Sequence, residues 1–127
     1  RKAVHTILSA DSTLIAKLGG PAVFDEAPRN TNPPYIKLGD IHSRDWSTST
    51  DSGAEHSLVI EIWSQHHGAQ NVLEIAAIVA HVLESNSIAL AGFLLVSIRQ
   101  QTLETRSENN GRFLRARQIY RVVIEQN

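Results

Sequence analysis

Hydroxyls, imidazoles and guanidinium groups are the reactive side chains of this chain, and each needs a particular spacing before it can do chemistry. Ser47, Thr48, Ser49 and Thr50 follow one another between Trp46 and Asp51. A serine nucleophile needs a base within hydrogen-bond reach and a sharp turn that exposes it, which flanking glycines normally supply. No such glycines surround this tract, so a hydrophilic loop is the better reading. The histidines stand at 5, 42, 56, 66, 67 and 81, and no two have the helical i, i+4 spacing of a zinc motif. Side chains of adjacent residues generally diverge, so His66-His67 is expected to make a poor shared-ligand pair. Gly19, Gly20 and Gly68 belong to no phosphate-cradling pattern. No catalytic residue, metal or cofactor is therefore expected, and the chain does not read as an enzyme.

Arginines remain. Arg99, Arg115, Arg117 and Arg121 lie in two apolar runs, Phe93–Thr105 and Phe113–Glu125, around Asn109-Asn110-Gly111. These runs predict a β-hairpin, and at ~3.3 Å rise per residue its strands extend to ~40 Å. Leu94, Val96 and Ile98 share one face of the first strand; Leu114, Ala116, Tyr120, Val122 and Ile124 share one face of the second. A two-residue turn would put these faces on opposite sides of the sheet. A three-residue loop, Asn109 to Gly111 with Gly111 left-handed, pairs Ile98 with Val122 and keeps one face buried. That register sets Arg99 across from Arg121, a like-charge pair that needs a counter-charge. Phe93, Leu95, Leu103, Phe113, Ile119 and Val123 share the arginine face, which is too apolar for a solvated surface. Three readings stand: a solvated face, a contact with acidic groups of a neighbouring subunit, or a contact with DNA phosphate. The apolar company favours the subunit contact.

The other elements follow from periodicity. Val4, Ile7, Leu8, Leu14, Ile15 and Leu18 have helical spacing, interrupted at Asp11, which lies at the edge of one helix or caps a second short one with Ser12. Gly19-Gly20-Pro21 ends this segment. Residues 25–34 form a polar, proline-punctuated connection. Tyr35–Arg44 reads as a strand with Ile36 and Leu38 on one face and Tyr35, Gly39 and Ile41 on the other. Glu55–Ser64 alternates Leu58, Ile60 and Ile62 with Ser57, Val59, Glu61 and Trp63, and Trp63 is expected to pack against a helix. Gly68–Ser85 returns to helical period with Val72, Ile75, Ala76, Val79 and Leu83 on one stripe and Ile78 stranded among polar residues. The predicted class is α+β: a mainly antiparallel sheet of four or more strands, two main helices packed on it and a long C-terminal hairpin. One domain spanning residues 1–127 is expected.

Composition narrows the partners. Net charge is −1 over 127 residues, which argues against a general nucleic-acid binder. Residues 92–127 nevertheless hold six arginines against three glutamates, a balance of +3 that leaves −4 on the first 91 residues. Such asymmetry suits a molecule that meets an acidic partner on one side. There is no cysteine, which fits a reducing compartment. No apolar run approaches the ~18 residues a membrane span needs, so no membrane partner is expected.

Four stretches together resemble a known family. They are LIAKLGG with VFDEAP after it, PPYIKLGD, DWSTSTDSGAEHSLVIEIWS, and HGAQNVLEIAAIVAHVLE followed by the long hairpin. In this order and spacing they are similar to the small phage tail-completion (tail terminator) proteins of long-tailed phages and gene transfer agents. The resemblance implies a structural virion protein of the neck, assembled in the host cytoplasm. It further implies a homohexameric ring that ends the tail tube and meets both the tail tube protein and a head-completion or stopper protein, while DNA passes transiently through its channel. No catalytic residues are known for that family, so the resemblance implies none here. Trp46, Ser47, Thr48, Ser49, Thr50, Asp51, Ile78, Arg99, Leu103, Phe113, Arg115, Arg117, Ile119 and Arg121 are the expected subunit or partner contacts. The alternative is a nucleic-acid-binding α+β module that uses the arginine row.

Overall fold

A computed structural model describes residues 1–45, 53–65, 69–85, 88, 90 and 92–126. The chain opens with two helices, α1 (Lys2–Ala10) and α2 (Ser12–Leu18). They are separate because Asp11 sits between them in extended backbone, and its carboxylate accepts the Leu14 N–H at 2.9 Å. An N-cap of this kind satisfies one of the donors that a helix start leaves open. Gly19 ends α2 in the left-handed region at φ 81°. The Gly20 and Gly19 N–H groups return to the carbonyls of Ile15 (3.0 Å) and Ala16 (3.3 Å), the bonding pattern of a Schellman cap.

Strands β1 (Val23–Phe24), β2 (Tyr35–Asp45) and β3 (Gly53–Ser64) follow, then α3 (Gln70–Ser85) and the hairpin β4 (Phe93–Glu108) and β5 (Phe113–Gln126). Five strands form one sheet in the order β1-β2-β3-β5-β4. The α+β class expected from the sequence is found, with two differences of detail. The sheet is mixed, because β1 runs parallel to β2 while the other pairs are antiparallel. Three helices occur among the described residues, because the cap at Asp11 divides the first helical stretch.

The helices cover one face of the sheet, and the core lies between them. Leu8, Leu14, Ile36, Leu38, Ile60, Ile62, Ile75, Leu83 and Tyr120 are fully buried there. The apolar stripe of α3 forms as its spacing predicts, with Val82 added. Ile78 is not stranded: it is half-buried against the core, because a 3.6-residue period sets it at the margin of the buried stripe. Gln118 is also buried on this face, where its amide N–H₂ donates to the Ala76 carbonyl at 3.0 Å and to the Gln100 side chain at 2.8 Å. These bonds tie β4 and β5 to α3.

Sheet irregularities decide which residues share a face. In β2 the register against β3 shifts between Leu38 and Ile41, so Ile41 pairs with Leu58 on the core side and not on the face of Tyr35. Gly39 is required at this bulge: a Cβ there would meet the Val59 Cβ at 3.0 Å. The Arg1 guanidinium donates to the carbonyls of Leu38 (2.9 Å) and Gly39 (2.7 Å). In β4 two further shifts occur, one at Val96 and one at Gln101. Each extra residue moves everything beyond it to the opposite side.

Candidate functional site

The second face of the sheet carries the arginine row. Ile98 pairs with Val122 and Arg99 with Arg121, the register argued from the sequence. Beyond Gln101 the pairing steps by one, so Glu108 faces Phe113 and the tip is a four-residue loop, not the expected three. Asn109, Asn110 and Gly111 all take positive φ (52°, 58° and 82°), the conformation that asparagine and glycine accept most readily. Leu103 now lies across from Gln118, on the helix side, and so leaves the arginine face to which simple alternation assigned it. Thr102, Glu104, Arg106 and Glu108 take its place opposite Ile119, Arg117, Arg115 and Phe113.

This exchange brings carboxylates to the arginines. Arg117 lies 3.7 Å from Glu104, and Arg115 lies 3.1 Å from Glu108 and 3.9 Å from Glu61. Arg121 pairs with Glu55 across the β3–β5 ladder. Arg99, on the edge strand, turns towards Glu84 of α3 at 3.6 Å. The Arg99–Arg121 juxtaposition is thus answered within the chain, each cation reaching a different carboxylate. Of the expected contact residues, Phe113, Arg115, Arg117, Ile119 and Arg121 do share one face of β5. Arg99 reaches round the edge, Leu103 is on the other face, and Ile78 packs from the helix layer. Trp46, Ser47, Thr48, Ser49, Thr50 and Asp51 lie outside the described residues.

An aromatic row crosses the end of this face. Phe24 of β1 meets the edge of Tyr35 at 6.1 Å between ring centroids; Tyr35 lies parallel to Trp63 at 6.0 Å; Trp63 meets Phe113 edge-on at 6.4 Å. Trp63 therefore packs among rings and under the Arg115 guanidinium, 5.7 Å from its centroid, not against a helix. The reason is alternation: Ile62 takes the core side, so Trp63 takes the other. Burial and the nearby Glu61 carboxylate raise the Tyr35 pKa above its ordinary value. Sequence inspection noted Tyr35, Trp63 and Phe113 singly but missed the row, whose members come from four strands. The signal was present in the non-core positions of β2 and β3, both of which carry an aromatic at the same end.

Above the row lies a recess of about 640 Å³ between the 25–34 connection and the hairpin tip. Among the described residues no hydrolytic or metal centre accompanies it. Ser43 Oγ stands 2.6 Å from His56 Nδ1, but among the described residues no carboxylate hydrogen-bonds that imidazole. No group of three metal-ligating side chains occurs among the described residues either. Among those residues, too, no helix is long and apolar enough to cross a membrane.

Comparison with known proteins places this architecture. The family model described as "Tail completion protein gp17" matches residues 2–125. A solved structure titled "Virion of native gene transfer agent (GTA) particle" contains a chain 28% identical to this one, with a TM-score of 0.88 over 98% of this chain and 92% of that one. Comparison with curated proteins gives no match.

Proposed function

Since this chain belongs to the tail completion protein gp17 family of phage-tail structural proteins, we propose that it forms a ring, hexameric in closed form, that terminates the tail tube. The ring joins the tube to the head-completion or stopper proteins, and DNA passes through its channel. The observation that carries this reading is the match of fold and sequence along nearly the whole chain to a component of a gene transfer agent virion. The helix-free face supports it. A closed ring needs two different complementary surfaces on each subunit. Here a charged and aromatic sheet face stands at an angle to an open strand edge, β4, whose first residues Phe93, Leu94 and Val96 are exposed.

Contact with DNA as the main task fits less well. Arg99, Arg115, Arg117 and Arg121 each have a carboxylate of the same chain within ion-pair distance. Neutralised arginines release few counterions and give weak phosphate binding, which suits a wall past which DNA slides.

Electron microscopy of the purified chain mixed with preformed tail tubes tests the proposal. Six-fold rings seated on tube ends are expected, together with an arrest of tube growth. Tubes that remain bare and keep growing at saturating protein would refute it.

A further inference from the structure

One arginine of the hairpin breaks the pairing rule. Arg112, at the tip, has no carboxylate within ion-pair distance among the described residues, and its guanidinium lies 5.8 Å from the Phe113 ring centroid. Lys37, on the same face of β2, is likewise without an ion-pair partner there. Both line the recess over the aromatic row, whose floor is Tyr35, Trp63 and Phe113. Elsewhere on this face each arginine meets a carboxylate of the chain; here two cations stand over an aromatic floor with no carboxylate within ion-pair distance among the described residues, although Glu26 lies on the rim.

We propose that the recess seats an acidic segment from a neighbouring protein of the particle, one that offers a carboxylate to Lys37 and Arg112 and an aliphatic side chain to the floor. This rests on the tail-structural reading above and adds the surface and the chemistry of the partner. Charge complementarity decides for an acidic peptide: the two cations match one or two carboxylates, and aromatic rings beside arginine are the side chains that dominate protein contacts. A nucleic acid fits worse. Trp63 is already held between Tyr35, Phe113 and the Arg115 guanidinium, so it offers no free face for a base to stack on. Glu26, also lining the recess, would repel a run of phosphates while leaving room for a single carboxylate.

The test is complementation of particle assembly in cells that lack the gene for this chain. Wild-type chain, Arg112→Glu and the neutral pair Lys37→Gln/Arg112→Gln are each supplied in trans, and tailed particles are counted by electron microscopy. Thermal melting and native mass are measured on each purified chain. Arg112 is exposed on a turn, so Arg112→Glu should melt and self-associate like wild type. It should lower tailed particles by about tenfold, with the neutral pair between, and suppressors should change an acidic residue of another particle protein to a basic one. Unchanged particle yield with Arg112→Glu would overturn the proposal. Loss of self-association in that variant would show that a second copy fills the recess, and loss of binding to a double-stranded DNA probe would show a nucleic acid there; either result replaces the proposed partner. Failure of the wild-type chain itself to restore tails would refute the functional reading, and the role of the recess with it.

Discussion

Tyr120 is the side chain whose surroundings carry the clearest pH signature. It is fully buried, and desolvation, with the Glu84 carboxylate nearby, lifts its phenol far above the ordinary value of 10.0. Above that pH the unfolded chain releases a proton that the native chain keeps, so stability falls as pH rises from about 10. Tyr120→Phe should flatten this alkaline slope in urea unfolding followed at pH 8 to 11. At neutral pH the substitution costs about 1 kcal/mol, because the phenol oxygen accepts from Gln118 at 3.1 Å. An alkaline slope equal to that of wild type would show that the phenol ionises freely. At this scale the sequence is a partial guide. Ile98 opposite Val122, and the arginine pair beside it, match the register argued from the sequence, although the tip is one residue longer than expected and the extra residue at Gln101 restores the pairing. The carboxylates that answer those arginines do not, because Glu55 and Glu84 are far away in sequence and reach them only through the fold.

Among the elements, Asp11 is the single residue that turns one apolar stripe into two helices. Asp11→Ala should cost about 1 kcal/mol in equilibrium unfolding, since the Leu14 N–H loses its acceptor; a loss below the precision of that measurement would mean water caps α2 equally well. The break at Asp11 was one of two readings the spacing left open, whereas the glycine cap at Gly19 and the buried stripe of α3 were legible because each is a local rule acting within a few residues. Bulges were not. Nothing in the local spacing of β2 or β4 marks the extra residues near Gly39, Val96 and Gln101, yet they decide the faces of Ile41 and Leu103. Their cause is tertiary. Gly39 lets β2 approach Val59 closely, and beside the extra residue Gln101 the Gln100 side chain accepts from Gln118, which also bonds α3.

Taken whole, the molecule has a finished side and an unfinished one. Helices close one face of the sheet, and the two-residue β1 forms one margin. The other margin is β4, sixteen residues long, with Phe93 46% and Leu94 53% exposed at its start. In the proposed ring, this asymmetry lets each copy present a different surface to the neighbour on each side. A long open strand is also a template on which further strands can stack into fibres. The interruptions at Val96 and Gln101 break the regular register of that template at two points, which blunts it for stacking. Deleting both residues should give a chain that folds and then turns thioflavin-positive on standing, whereas the parent stays clear. A cell could then stockpile subunits in quantity ahead of assembly without their gelling.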